Sequence, residues 1–325
     1  MICHANLLPF VGLVLSSVSA APTSNYTDTP RQALKLTINH EGPLEPRVDS
    51  DFPDPSITQA KDGSWVALAT NGNGKQFQIA TAKDLLGKWT LKDYDAMPDL
   101  GWTNGEEMWA PDLRTLDNGQ YIFYYSGRLA TGNHEHCIGV ARSEKIAGVY
   151  KPDARPIVCP PEGFHGVIDA AGFKDPETDK RYIVYKLEGD VSKPTGGTPL
   201  MLQEVEENGS TLIGEPVKIL DRIEEEDGIL VEAPNIVRLG NGLYVLFYSS
   251  HRFDDPAYAV KYAFSDKVSG PYERAPESLI KKPDFGLDGP GGMTSNEAGD
   301  TLVFHGWCGE ERNKRCMYSV AYSYS

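Results

Sequence analysis

Four acidic side chains stand at comparable places along this 325-residue chain: Asp54, Asp112, Asp169 and Glu232. Asp54 sits between Pro53 and Pro55 in the stretch Val48-Asp49-Ser50-Asp51-Phe52-Pro53-Asp54-Pro55-Ser56-Ile57. The two prolines fix φ on either side of it and hold the neighbouring residues extended. Related phrases return at Ala110-Pro111-Asp112-Leu113, Ile168-Asp169-Ala170-Ala171-Gly172-Phe173, Glu232-Ala233-Pro234-Asn235-Ile236-Val237 and Gly289-Pro290-Gly291-Gly292-Met293. Any one such aspartate commonly caps a turn. Several carboxylates converging on one spot are costly to bury, and imply a ligand, a metal or catalysis.

The chain must therefore contain elements that bring distant acids together. Each phrase leads into short runs rich in β-branched and aromatic residues, broken by Gly, Asn and Asp. Examples are Tyr121-Ile122-Phe123-Tyr124-Tyr125 after the second phrase and Tyr244-Val245-Leu246-Phe247-Tyr248 after the fourth. No long run holds a 3.6-residue period, so helix is nearly excluded. With Pro55, Pro111, Ala170, Pro234 and Pro290 as equivalent points, the steps are about 56, 59, 64 and 56 residues. A fixed period of this size with several strands per unit is the mark of a β-propeller. Asn118-Gly119 and Asn241-Gly242 fit tight hairpins, and Ser143–Tyr150 and Ser265–Tyr272 fit turns into the outer edge of a unit. The expected fold is an all-β, five-bladed β-propeller. Its first strands line the axis, so the acids point at the mouth of the central channel. A β-sandwich, the rival all-β architecture, does not explain five spaced copies.

Composition is that of an ordinary globular protein, and the formal charge of −15 argues against nucleic acid or anionic membrane as partners. Residues 1–20 carry no charged side chain, contain the run Leu7-Leu8-Pro9-Phe10-Val11-Gly12-Leu13-Val14-Leu15 and end Ser17-Val18-Ser19-Ala20. That layout is expected of a secretory signal peptide, and the apolar run is too short to span a bilayer. Residues 21–46 read as a linker or an edge strand, and 47–325 as the propeller. With Cys3 removed, Cys137, Cys159, Cys308 and Cys316 can pair in three ways; the short-loop choice is Cys137–Cys159 with Cys308–Cys316. A zinc site is the rival, but no C-x-x-C pair is present. Asn25-Tyr26-Thr27 and Asn208-Gly209-Ser210 are acceptor sequons for glycans.

Taken in order, Phe52-Pro53-Asp54-Pro55-Ser56, Trp109-Ala110-Pro111-Asp112, Ile168-Asp169-Ala170-Ala171-Gly172-Phe173, Val231-Glu232-Ala233-Pro234-Asn235 and Phe304-His305-Gly306 resemble glycoside hydrolase family 43 over residues 48–325. Those are five-bladed propeller enzymes acting on arabinose- and xylose-containing polysaccharides. The resemblance implies that Asp54 is the general base, Glu232 the general acid, and Asp169 the residue that tunes and orients the acid. Where family members often show Gly-Pro-Gly-His, this chain has Gly289-Pro290-Gly291-Gly292.

Acetal hydrolysis fits these side chains. It needs a proton for the departing oxygen and an activated water at the anomeric carbon, with acid and base roughly 6.5–9.5 Å apart in an inverting enzyme. A neighbouring Asp169 would keep Glu232 protonated by like-charge repulsion. Trp109, Phe52, Asp112 and His305 are the expected substrate-binding residues, with Trp307 and Phe253 at the rim and Arg128 and Arg252 as candidate clamps. No cofactor is required; a structural Ca2+ in the central channel, held through water by His305, is the candidate metal there. The expected function is that of a secreted, monomeric, inverting hydrolase releasing L-arabinofuranose from plant cell-wall arabinan or arabinoxylan. β-Xylosidase is the alternative, and a catalytically inactive glycan-binding propeller is the rival of another class.

Overall fold

The computed structural model describes Met1 and residues 34–133, 135–192, 196–309 and 311–325. The expected signal peptide, the first part of the linker, Cys3 and the Asn25 sequon lie outside the described residues. Residues Leu34–Ser325 form one compact unit. Among the described residues, helix is confined to Glu224–Asp227 and the 3-10 turn Asp284–Gly286.

The unit is a five-bladed β-propeller. Blade one is Ser56–Gln59, Trp65–Ala69, Gln78–Ala82 and Thr90–Leu91, paired antiparallel in chain order. Blade two runs Trp109–Thr115, Tyr121–Arg128, His136–Ser143 and Lys151–Pro152. Blade three is Gly166–Lys174, Arg181–Glu188, Leu200–Val205 and Leu212–Leu220. Blade four is Val231–Arg238, Tyr244–Ser250, Ala259–Ser265 and Glu273–Arg274. Blade five takes Gly291–Ser295, Thr301–Cys308 and Lys314–Tyr324 from the end of the chain. Its outer strand, Leu36–Ile38, comes from the beginning, with Leu36 opposite Tyr324.

The apolar runs are continuous because both faces of each blade are covered. Along Tyr121–Arg128, Tyr121, Phe123 and Tyr125 enter the cluster shared with blade one, whereas Ile122 and Tyr124 enter the cluster shared with blade three. Tyr244, Leu246 and Tyr248 pack toward blade three, while Val245 and Phe247 pack toward blade five. A fifth cluster joins Ile57 and Ala67 of blade one to Val303 and Met317 of blade five, which closes the ring. The core is thus five slices between neighbouring sheets.

Each inner strand is bent by a residue with φ > 0: Asp54 (52°), Ala110 (44°), Asp169 (59°), Ala233 (50°) and Gly292 (57°). In blades two to five the pairing register shifts at that residue, as a β-bulge. All five amides donate backward to the preceding blade. Ala110 N–H donates to Thr70 Oγ1 (2.8 Å), Asp169 N–H to Ser126 Oγ (3.0 Å) and Gly292 N–H to Ser249 Oγ (3.0 Å). Asp54 N–H donates to His305 Nδ1 (3.0 Å) and Ala233 N–H to Asp169 Oδ2 (2.9 Å). A left-handed residue other than glycine costs about 1–2 kcal/mol, and these bonds offset that cost.

The bulges also correct the alignment of the repeat. The residue after the bulge is Pro55, Pro111, Ala170, Pro234 and, in blade five, Met293 rather than Pro290. Asp169 occupies the bulge itself, Asp54 the matching φ > 0 position just before the first strand of blade one, Glu232 stands one residue before its bulge, and Asp112 two residues after. The four acids are therefore not in register. The cysteines form the short-loop pairs, Cys137–Cys159 and Cys308–Cys316.

Ser249 is 0% exposed, so Ser249→Ala leaves the Gly292 amide without its acceptor. The expected loss is about 1–3 kcal/mol of unfolding free energy. Ser323→Ala, which removes an exposed bond to Asn39, should cost less than about 0.5 kcal/mol. Urea titration of both variants checks the contrast; equal losses would remove the bulge relay from the account of stability.

Candidate active site

The inner strands begin at one end of the channel. There, a cleft of about 370 Å³ is walled by Asp54, Asp169 and Glu232 together, with Trp109, Lys186, Tyr258 and Arg315 among its other lining residues. Blades one, three and four each contribute one acid.

Asp54 accepts a hydrogen bond from Thr70 Oγ1 at 2.6 Å, and Arg315 lies 3.7 Å from its Oδ1. His305 Nδ1 is 3.0 Å from the Asp54 amide and 3.2 Å from its Oδ1, and can serve only one of them. Among the described residues the amide has no other acceptor, so Nδ1 takes the amide proton and the other ring nitrogen carries hydrogen. Burial resists charging Asp54, but the Arg315 guanidinium and the Thr70 hydroxyl outweigh it and hold the carboxyl well below the usual carboxylate range. Burial in turn keeps His305 below its ordinary value, hence neutral.

The other two acids share a different environment. Glu232 Oε2 is 3.1 Å from Lys186 Nζ, and Tyr258 OH donates to Oε1 at 3.0 Å. Lys186 is 3% exposed. Burial first, and then the charge of Glu232, push the Asp169 carboxyl up to about 8, although Lys186 and the Ala233 amide act the other way. Asp54 is thus set to be charged and Asp169 to keep a proton, within one cleft.

The profile of the glycosyl hydrolases family 43 matches residues 44–316. This chain belongs to that family. A protein of Bacillus subtilis named beta-xylosidase is 28% identical over 236 residues, covering 70% of this chain and 41% of that protein. A probable arabinan endo-1,5-alpha-L-arabinosidase C of Aspergillus flavus is 37% identical over 93 residues, 28% of each chain. The chain therefore spans less than half the length of these curated relatives. A solved thermostable family-43 glycoside hydrolase superposes with a TM-score of 0.70 at 22% identity, over 89% of this chain and 92% of that one. At that identity the likeness speaks for the fold alone.

Within the family 43 frame, the expected site residues fall into two groups. Asp54, Asp169, Glu232 and Trp109 line the cleft, Trp109 with its ring stacked 4.3 Å from His136. Phe253 and Arg252 also line it, and Trp307 Nε1 is bonded to the Phe253 carbonyl. Phe52 is not there: it is 0% exposed in the slice between blades five and one. Asp112 is also elsewhere. Two residues past the bulge, its carboxylate turns down the channel, chelated by Arg114 at 2.7 and 2.8 Å and accepting the Gly172 amide. Ser56 and Asn235 do the same for Leu113 and Ser295, so Asp112 belongs to a second tier of blade-to-blade bonds. His305 is fully buried behind Asp54, stacked on Tyr258. Arg128 is paired with Glu107 at 2.6 Å rather than free to clamp a ligand.

Lys186, Tyr258, Thr70 and Arg315 were not singled out from sequence. One signal for Lys186 was available. Thr70, Ser126, Ser249 and His305 occupy one position in the second strands, and blade three has a lysine there, inside an apolar run. Gly291-Gly292 has a steric reason. A Cβ at Gly292 would come within 2.6 Å of Asp54 Oδ1 and His305 Nδ1, and one at Gly291 would strike the Tyr258 ring. Among the described residues no three His, Cys, Asp or Glu side chains gather as metal ligands. His305 Nε2 is buried without a partner, a single nitrogen that the tautomer above makes a donor. These residues do not fit a protein-ligated Ca2+.

The raised Asp169 carboxyl gives stability a defined pH dependence. The folded state holds this proton where the unfolded state has released it, so the contribution is complete below the ordinary aspartate range and lost as pH rises through about 8. Asp169→Asn cannot ionise. Between pH 6 and 9 the wild type should lose several degrees of melting temperature more than the variant; parallel curves would exclude the raised value.

Proposed function

We propose that this family 43 protein is a secreted, inverting glycoside hydrolase that releases L-arabinofuranose from arabinan or arabinoxylan. The observation that carries the reading is the convergence of Asp54, Asp169 and Glu232 in one cleft, Asp54 beside Arg315 and the Thr70 hydroxyl, and Glu232 beside Lys186 and Tyr258. Asp54 is the general base. It takes a proton from water as the water oxygen bonds to the anomeric carbon, and the glycosidic bond breaks on the opposite face. Glu232 is the general acid, giving its proton to the departing oxygen, and the product is a free sugar of inverted configuration. Below about pH 8 the Asp169–Glu232 pair retains a proton, so the cleft has an acid to donate at neutral pH. Lys186 balances the remaining charge of that pair, and Tyr258 holds Glu232 Oε1. Asp169, anchored on the Ala233 amide next to Glu232, positions the acid. The Trp109 ring at the wall offers an apolar face to a sugar.

Arabinose is preferred because the Aspergillus flavus relative carries the higher identity. A second reading, β-xylosidase, is favoured by the longer match to the Bacillus subtilis protein. Secretion is supported by the uncharged, apolar residues 1–20 and by the two disulfides, which persist in oxidising compartments. The acids come from one chain, so a monomer suffices.

Two measurements test the proposal. Initial rates on an aryl α-L-arabinofuranoside and an aryl β-D-xyloside, with the first-formed anomer followed by proton NMR, should show faster arabinoside cleavage and inversion; a retained anomer overturns the mechanism. Glu232→Gln should lose about 10²–10⁴-fold on natural linkages and far less on aryl glycosides whose leaving groups need no proton. Equal losses would take Glu232 out of the acid role.

A further inference from the structure

Glu188 is a fourth carboxylate in the acid cleft, and nothing in the proposed chemistry uses it. It ends the strand Arg181–Glu188, two residues beyond Lys186 and on the same face. Directly opposite is Gly166, three residues before Asp169 on the inner strand. The Glu188 side chain lies over that bare glycine, where a Cβ would strike its Oε2. Because the inner strands start at the mouth of the channel, Glu188 stands nearer the mouth than Asp169.

The carboxylate is steadied by charge but left open. Its Oε1 is 4.0 Å from Lys186 Nζ, which is closer to Glu232 at 3.1 Å, and its Oε2 is 3.8 Å from His136 Nδ1. Neither contact of Glu188 reaches hydrogen-bond range, and among the described residues no donor binds either oxygen. The side chain is 31% exposed. Its neighbours along the wall are largely apolar. The Trp109 ring covers one face of the His136 imidazole, and Val191 and Ile229, both exposed, line the same cleft. An open pair of acceptor oxygens among apolar side chains suits a sugar, which offers C–H surface and hydroxyl donors together.

The shape of the channel says which sugar. Below the acids, among Pro55, Pro111, Ala170 and Pro234, it holds only about 40 Å³, too little for a sugar ring. The sugar attacked by water lies between Asp54 and Glu232, so the unit on the other side of the bond lies toward the mouth. Glu188 and Glu232 flank one ammonium, that of Lys186, so a sugar held by Glu188 adjoins the linkage at Glu232.

We propose that Glu188 is a specificity-determining residue that accepts hydrogen bonds from hydroxyls of the departing sugar, the unit whose oxygen Glu232 protonates. The proposal rests on the hydrolase reading. It makes the protein selective for a sugar over a simple alcohol as leaving group.

Glu188→Ala tests this on two substrates that need the same proton. One is a disaccharide of whichever pentose the wild type cleaves; the other is the methyl glycoside of that pentose, which has no second sugar. On the disaccharide kcat/KM should fall about 10- to 100-fold, as expected for lost hydrogen bonds to a charged group. On the methyl glycoside it should stay within about twofold of the wild type. Gly166→Ala, whose Cβ displaces the carboxylate without removing it, should show the same split, and melting curves establish that both variants are folded. An equal loss on both substrates would mean that Glu188 acts through Lys186 on the acid; no loss on the disaccharide would mean that it touches no sugar. Either result overturns the proposal. Failure of the hydrolase reading is a separate outcome, seen when the wild type cleaves neither substrate, and it takes this proposal with it.

Discussion

A buried amide must be paired, and this constraint shapes the site. Each inner strand is kinked where its bulge residue turns to φ > 0, and each freed N–H is taken up by the blade before it. In three of the five cases a serine or threonine hydroxyl suffices. In the other two the acceptor is His305 or Asp169, and these two lie under or within the cluster of acids. The bonds that hold neighbouring blades in place thus also fix the orientation of the Asp54 backbone and of the Asp169 carboxylate. A cluster of acids built this way is held by the same bonds that hold the ring.

The same cleft keeps two carboxyl groups in opposite states by distributing charge unevenly. Asp54 has Arg315 on one side, the Thr70 hydroxyl on another and a neutral imidazole beneath. Asp169 and Glu232 share one lysine. One cation for one carboxylate allows charge; one cation between two leaves a proton behind. That difference in ratio, more than burial alone, separates the roles.

Much of this was legible in the sequence. The period of the repeat, the apolar strands and the prolines around Asp54 led to a five-bladed ring with acids at its hub. What escaped depends on a single residue of register. Each bulge inserts one residue, so acids that look equivalent along the chain point differently: Asp169 from the bulge, Asp54 from the matching kink ahead of blade one, Glu232 from before its bulge, and Asp112 down the channel. Phe52 was misassigned for the same kind of reason, since it precedes the kink and faces the slice between blades. Arg315 could not be anticipated from spacing, because its partner Asp54 lies across the ring closure, at the far end of the chain.

The three-residue strand Leu36–Ile38 lies against the strand that ends the chain. Leu36–Ile38 therefore has no partner strand until Lys314–Tyr324 has been made, whereas blades one to four contain all their own strands. His305, the acceptor beneath Asp54, belongs to that last blade. Asp54 is thus anchored only once the circle is shut, and a chain with four finished blades still lacks a seat for its charged carboxylate.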